Sequence, residues 1–376
     1  MAYEDVALIA NGKKFTGWKS VEMDAALNEA CRAAEISVSE IPQPGHEMVT
    51  DSAFFADWHF PPNTPIQITA NGTLMMDGYV DDYDVEGDRI THGVTIRMRG
   101  KGADFVDSSV THPTGQFENM KVEDIAKALD AGGVGIRTLT DTGAQVPSFR
   151  ASKGSSRHAE LLRLCQQRKL VMKGAADGQI ELTKAGLSRH AGGLILGINL
   201  TRVQGTISAR ARFADYIVDG QSAASWEDPQ ISGAHGVAHD KTVTRARQKV
   251  IVDNAESNAA LARQRAEWEQ ARAAGNSAKA ELTTPSWRDD AGALWEPGFQ
   301  VFCRVPWLRL EQDMVIEKVK FAQTDAGTLA HISLVDPRSY NGNDPAGSNS
   351  SPMWDPGSRS QAAIDALQQK AYGGNR

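Results

Sequence analysis

The chain has 376 residues, 41% apolar and 23% charged, with a formal net charge of −7. This length supports two to four domains with a substantial core, and the composition is that of a globular chain rather than a disordered or fibrous one. The acidic balance argues against a general nucleic-acid or membrane-surface binder, and no apolar run approaches the length of a membrane span. Cys31, Cys165 and Cys303 lie far apart without CxxC spacing, so no disulfide framework is expected. Met1-Ala2-Tyr3-Glu4-Asp5 lacks a signal-peptide pattern, and an ordinary secretory route is not expected.

In chain order, residues 6–9 form a predicted strand, Asn11-Gly12 its turn, and 15–21 the returning strand with Trp18 as an aromatic anchor. Residues 25–34 look helical by composition. Ile36, Val38 and Ile41 alternate along a strand over 35–41. Proline-rich loops follow at 42–50 and 61–65. Residues 66–98 then read as an antiparallel meander with one buried face. Ile66, Ile68 and Ala70 alternate with Gln67 and Thr69, and Asn71-Gly72 turns the chain. Val80, Tyr83 and Val85 are the bulky positions of a longer strand, and Glu86-Gly87-Asp88 turns again. Val94, Ile96 and Met98 alternate with Thr95, Arg97 and Arg99.

The pattern then changes. Residues 121–129 form a predicted amphipathic helix on Val122, Ile125, Ala126 and Leu129, ended by Gly132-Gly133. A short strand over 134–139 follows. Ser155-Ser156 caps a second predicted helix with Leu161, Leu162 and Cys165 as its apolar stripe. A hairpin over 170–172 and 180–182 turns at Asp177-Gly178. This order predicts a small α/β domain inserted between β regions. Strands resume at 194–200, 204–211 and 216–218. Residues 221–241 read as an extended loop, and Asn254 caps a long alanine-rich helix reaching Ala274. A strand over 278–283 and a polar turn between Trp287 and Trp295 lead to a second meander over 299–334. Residues 341–359 are rich in Gly, Pro, Ser and Asn, and only 361–371 of the tail has helical character.

The two meanders match under an offset of 236, which lays Asp77 on Asp313, Val80 on Ile316, Tyr83 on Val319, Val85 on Phe321, Ile96 on Ile332 and Met98 on Leu334. The expectation is a mixed β and α+β chain with two related antiparallel β-barrels and an inserted small α/β domain. Its divisions are 1–109, a first barrel; 110–187, the α/β domain; 188–340, a second barrel with a long helix and extended loop; and 341–376, a flexible tail.

Chemistry is mostly sought and not found. The chain has no GxSxG, no Walker loop and no HExxH. His235 and His239, four apart, would share a metal on a helix, but Gly233 and Gly236 disfavour a helix and no third ligand is evident; an exposed loop is the expectation. Gly100-Lys101-Gly102 reads as a barrel exit rather than a phosphate cradle. Asp81, Asp82 and Asp84 form an acidic run, expected to be a solvated face, with a paired-carboxylate hydrolase on Asp81 and Asp84 as the alternative. His158 and Glu160 are expected on a helix surface. Lys13-Lys14 and Arg245, Arg247 and Lys249 are small basic clusters, expected to be solvated. No catalytic, cofactor-binding or metal-binding residue is assigned.

The order of these parts carries a resemblance. It runs from Asn11-Gly12 and Gly17-Trp18 through Pro65-Ile66-Gln67-Ile68, Asp77-Gly78-Tyr79-Val80-Asp81, Ile96-Arg97-Met98-Arg99-Gly100-Lys101 and Phe105-Val106-Asp107. Gly154-Ser155-Ser156, Asp177-Gly178-Gln179-Ile180 and Leu294-Trp295-Glu296-Pro297-Gly298 follow. Over about residues 1–340 the chain resembles the baseplate hub proteins of Mu-like contractile-tailed phages, relatives of late-control and injection-system spike-base proteins. The resemblance implies tube-like barrels and a homotrimer in which six barrels form a ring. It also implies a central tail spike, a tail tube and baseplate wedge proteins as partners, and viral DNA passing without specific binding. The implied place is the virion baseplate, with assembly in the host cytoplasm. No catalytic residue is implied, so a non-enzymatic role without cofactors is expected. A trimer of chains holding two similar barrels each would reconcile a sixfold tube with a threefold spike. The alternative remains a wall-acting hydrolase of the tail tip on Asp81 and Asp84.

Overall fold

The computed structural model describes residues 3–40, 59–87, 92–220, 234–253, 259–308 and 310–341. Two units are formed. The first comprises Met1–Lys184, Thr283–Gly298 and Glu317–Ile332, and the second Ala185–Leu282, Phe299–Ile316 and Ser333–Arg376. The expectations for the 42–50 loop, the Asn254 cap and the tail after Asn341 lie outside the described residues.

The first unit opens with β1 (Val6–Ala10), β2 (Lys13–Phe15), β3 (Ser20–Ala26), β4 (Ala33–Glu40), β5 (Pro65–Ala70), β6 (Thr73–Gly87) and β7 (His92–Gly100). Strands β5, β6 and β7 pair antiparallel in succession, as the alternation predicts. The buried side of this sheet carries Ile36, Val38, Ile66, Ile68, Val80, Val94, Ile96 and Met98, each at most 3% exposed. Burying an aliphatic side chain of this size stabilises by roughly 1.5–3 kcal/mol. Residues 25–34 are not helical. Strand β3 continues to Ala26, Asn28 takes a positive φ of 62° in a turn, and β4 starts at Ala33. The small alanines suit close packing in a sheet as well as they suit a helix, so composition misleads here.

The insert follows with α1 (Ala103–Asp107), β8 (Gln116–Met120), α2 (Val122–Leu129), β9 (Ile136–Thr138), β10 (Val146–Arg150), α3 (Arg157–Gln167), β11 (Val171–Gly174) and β12 (Ile180–Thr183). Val122, Ile125, Ala126 and Leu129 are all buried, as their spacing predicts. They share a core with Phe117, Phe149, Leu161, Leu164, Cys165, Met172, Ile180 and Leu182. Leu164 is fully buried and Leu162 only partly, which shifts the stripe of α3 from the expected one. Ser156 occupies the N-cap of α3, yet its hydroxyl donates to the Val106 carbonyl at 3.0 Å. Glu160 accepts from the Ser155 hydroxyl at 2.8 Å and the Ser152 N–H at 3.1 Å, which ties the preceding loop to α3. Glu160 is therefore buried rather than on the surface. The pair β8–β10 was not legible, because Gln116–Met120 and Val146–Arg150 lack clean alternation.

The second unit contains β13 (Arg189–Ile195), β14 (Arg202–Ile207), β15 (Asp215–Gly220), β16 (Ala234–His239), β17 (Gln248–Asp253) and α4 (Ala259–Asn276). Next come β18 (Ala278–Thr284), β19 (Gln300–Val305), β20 (Leu310–Thr324), β21 (Gly327–Val335) and α5 (Arg338–Asn341). Here β14 pairs with β18, β19 pairs with both β13 and β20, and β15 lies between β16 and β17. Residues 234–239 are thus a strand rather than the end of a loop. Helix α4 covers one face of this small sheet through Tyr216, Val218, Ala238, Ala262 and Ala266. Strand β20 begins in the second unit; its Glu317–Thr324 part belongs to the first, where Lys318–Thr324 pairs with β3.

The two long hairpins have equal arms. Strands β6 and β20 are each 15 residues, and β7 and β21 each nine. Val80 and Ile316, Ile96 and Ile332, and Met98 and Leu334 are all buried. The match weakens toward the strand ends: Val85 is 55% exposed where Phe321 is 1%. A bulge at Asp81 breaks the register of β6, whose distal half has, among the described residues, only β7 beside it. Phe321 sits where β20 is flanked by β3. Among the described residues the strands follow an open path, and no closed barrel is formed.

Candidate functional site

The outer face of the first unit's sheet concentrates its charge. Along β3 and β4 the outward positions are Glu22, Asp24 and Glu35, along β7 Arg97 and Arg99, and along β20 Lys318 and Lys320. They alternate with buried Met23, Ala34, Ile36, Ile96, Met98, Val319 and Phe321, so the pleat itself puts every charge on one side. Register then brings opposite signs together. Lys320 meets Glu22 at 2.6 Å and Lys318 meets Asp24 at 3.0 Å. Arg97 donates to Glu35 at 3.0 Å and to Asp84, and Arg99 donates to Asp81 and, at 2.7 Å, to Asp107.

The ladder shifts the charge states of its members. Hydrogen bonds donated to Asp84 and Glu35 raise the Arg97 guanidinium above its ordinary value, and those donated to Asp107 and Asp81 raise Arg99. The Arg99 hydrogen bond holds the Asp107 carboxyl below the usual carboxylate range, and Glu22 raises Lys320. With Asp82, these ladder residues number seven carboxylates against four cations. Glu22, Asp24, Glu35, Asp81, Asp82, Arg97 and Arg99 surround an open depression of about 340 Å³.

Asp81 and Asp84 belong to this face. Asp81 is the extra residue of the β6 bulge and is tied to Arg99, while Asp84 is tied to Arg97. The arrangement does not favour the hydrolase alternative. His235 and His239 stand on one face of β16, across from Asp219 and Asp215, with Nδ1–Oδ1 distances of 2.8 and 2.7 Å. These are two separate cross-strand pairs, and among the described residues no cluster of three metal-ligating side chains exists. Burial pushes the Cys31 thiol up to about 11 and Cys165 up to about 12, away from nucleophilic use. Lys101, in the glycine-flanked exit, pairs with Asp77 at 2.6 Å. Gly102 there lies so close to the Ala30 carbonyl that no side chain fits. The acidic run at 81–84 was legible as a solvated face. Its partners Glu22, Asp24, Lys318 and Lys320 were not, because nothing local reports that β3 pairs with β20.

Structural proteins of phage tails share this mostly antiparallel scaffold. The 43 kDa tail protein of prophage MuSo2 from Shewanella oneidensis superposes with a TM-score of 0.78 at 27% identity, covering 90% of this chain and 99% of that one. A tail protein from Neisseria meningitidis has the same fold, with a TM-score of 0.74 at 16% identity over 90% and 98% of the two chains. In sequence, the baseplate hub protein gp44 of Escherichia phage Mu is 28% identical over 341 residues, 88% of this chain and 87% of that protein. Three domain models match in order: the GpP-like N-terminal domain of the Mu phage baseplate assembly protein over 5–101, the second domain of gp44-like baseplate hub proteins over 102–184, and the fourth domain of GpP over 258–343. The chain belongs to the baseplate hub family of Mu-like phages.

Proposed function

We propose that the chain is the non-catalytic baseplate hub of a contractile tail, a homotrimer that adapts a sixfold tail tube to a threefold central spike. In this reading 1–109 and 188–340 each contribute a tube-like barrel, 110–187 stands as a separate α/β domain, and 341–376 is a tail. Six barrels in a trimer give a pseudo-sixfold ring. The spike, the tube and the wedge proteins are its neighbours in the virion, and the chain assembles in the host cytoplasm. The observation that carries the reading is the end-to-end relation to a Mu baseplate hub protein. The equal arms of the two hairpins support the doubled barrel. The acidic surplus of the charged sheet face suits a lumen that lets DNA slide, since a polyanion gains nothing by resting on carboxylates. Light scattering on the purified chain tests the assembly: a trimer mass with ring-shaped particles by electron microscopy is expected, and a monomer at micromolar concentration and physiological salt counts against it.

A further inference from the structure

The insert separates its charges. Residues 142–172 carry six cations, Arg150, Lys153, Arg157, Arg163, Arg168 and Lys169, against the single carboxylate of Glu160, in a chain whose net charge is −7. Arg157 is buried and donates to the Ser109 carbonyl at 3.0 Å, so it serves the fold. Two contacts bring others to one place. Arg163 of α3 donates to the carbonyl of Arg150, the last residue of β10, and Arg168 donates at 3.1 Å to that of Gln145, just before its first. The two arginines bracket the strand.

Their guanidiniums are held but not hidden. Arg163 stacks 4.5 Å from the centre of the buried Phe149 ring and meets Glu160 at 2.6 Å, yet 46% of its side chain is exposed. Arg150 and Lys153 are exposed, and among the described residues neither side chain has an ion-pair partner. Guanidiniums already ordered by the fold lose little freedom when a carboxylate arrives, and their forks match it bidentately.

The limits of the patch decide what it takes. Exposed Glu118 lies opposite Ser148 across the β8–β10 pair, and exposed Asp141 stands ahead of Gln145. Carboxylates thus bound the cations at one side and one end. A long phosphate polymer or an anionic bilayer would run onto them and be repelled, whereas a short acidic segment ends before it meets them.

We propose that the Arg150, Lys153, Arg163 and Arg168 patch of the insert docks a short acidic segment of a neighbouring protein. The inference goes beyond the hub reading and does not need the homotrimer, since every residue of the patch belongs to the insert of one chain.

The test uses the full chain and an end-labelled acidic octapeptide of alternating aspartate and glutamate, followed by fluorescence anisotropy. Binding is expected at about 0.05 M salt and should weaken as salt rises. Arg150→Glu with Lys153→Glu should raise the dissociation constant at least about tenfold. Both positions are exposed, so the melting temperature should hold. The same change of charge on the first sheet, Lys13→Glu with Lys19→Glu, should leave binding within about twofold. Absence of peptide binding at the lower salt, or an Arg150→Glu, Lys153→Glu variant that binds no worse than the Lys13→Glu, Lys19→Glu control, overturns the docking site. An oligothymidylate of equal charge, or vesicles containing phosphatidylglycerol, held more tightly than the peptide and released by the Arg150→Glu, Lys153→Glu change, overturns the acidic segment in favour of nucleic acid or membrane.

Discussion

Arg32 donates two hydrogen bonds to Glu296, at 2.7 and 2.9 Å, across 264 positions of sequence. The guanidinium is 4% exposed and also donates to the Gly174 and Met75 carbonyls at 3.1 and 2.9 Å. Lys173 stands 3.5 Å from Glu296 and 3.4 Å from Glu181, and Arg137 carries the chain on from Glu181 to Asp177. One buried cation thus ties the start of β4, the end of β11 and the segment before β19. Removing one partner of a buried pair strands the other, so Arg32→Met should cost about 3–5 kcal/mol in denaturant melts. A loss under about 1 kcal/mol would show that the carboxylate finds other partners.

The same pair sets a pH dependence. Burial pushes the Glu296 carboxyl up, but Arg32 and Lys173 outweigh it and hold it below the usual range. A carboxyl with a lowered folded pKa contributes stability that is fully present above its unfolded value, about 4.3. That contribution is lost as pH falls through the lower folded value. Melting temperature should therefore fall from pH 5 downward, and Glu296→Gln, less stable at pH 7, should flatten that part of the slope. Parallel slopes for the two proteins would assign the acid sensitivity to other carboxylates.

Ile96 and Ile332 occupy matching places in hairpins of equal length, and both are at most 1% exposed. Truncating either to alanine should cost roughly 2–5 kcal/mol. Arg97, next to Ile96 and half exposed, should tolerate Arg97→Ala with little change, since screened surface pairs contribute little. If Ile332→Ala proves as mild as Arg97→Ala, the second hairpin carries no core of its own.

That pairing was readable because period-two alternation reports burial directly. Val80, Ile96 and Ile332 declared their faces in the sequence, and the Val122–Leu129 helix did so by its spacing. What resisted reading depends on partners far along the chain. The two ends of the Ala25–Ala34 stretch became strand because β20 and β7 lie beside β3 and β4. Residues 234–239 became strand because β15 offers an edge, although Gly236 and the flanking histidines look like loop. Glu296 stood within a recognised Trp-Glu-Pro-Gly run, yet nothing local reveals that its partner is Arg32. Val85 failed in the other direction: it alternates correctly, but β6 outruns the layer that would bury it.

Glu160 fastens the loop before α3 to the helix. It accepts from the Ser155 hydroxyl and the Ser152 N–H, and Arg163 closes on it at 2.6 Å. Burial raises this carboxyl, and the donors around it bring it below the usual range. Glu160→Ala should destabilise the insert by about 1–2 kcal/mol, whereas Ser156→Ala should lose only the bond to Val106. Hydrogen exchange at the first turn of α3 distinguishes them: protection there should fall for Glu160→Ala and persist for Ser156→Ala. Equal loss in both would show that the Glu160 contacts do not hold this turn.

The charged sheet face gives the sharpest test of DNA passage. With seven carboxylates against four cations it should repel a polyanion at short range, while its ion pairs keep it rigid. The wild type should show no measurable binding to duplex DNA at about 0.15 M salt. Glu22→Lys, Glu35→Lys and Asp82→Lys together reverse the surplus to four carboxylates against seven cations. These positions are outward-facing, so the melting temperature should change little. The triple variant should bind DNA with an affinity that falls steeply as salt rises, the signature of counterion release. In an assembled particle the same substitutions should leave tails intact and slow DNA release. Tight binding by the wild type would refute a slippery lumen. A reversed face that leaves release at the wild-type rate would place the DNA path on another surface.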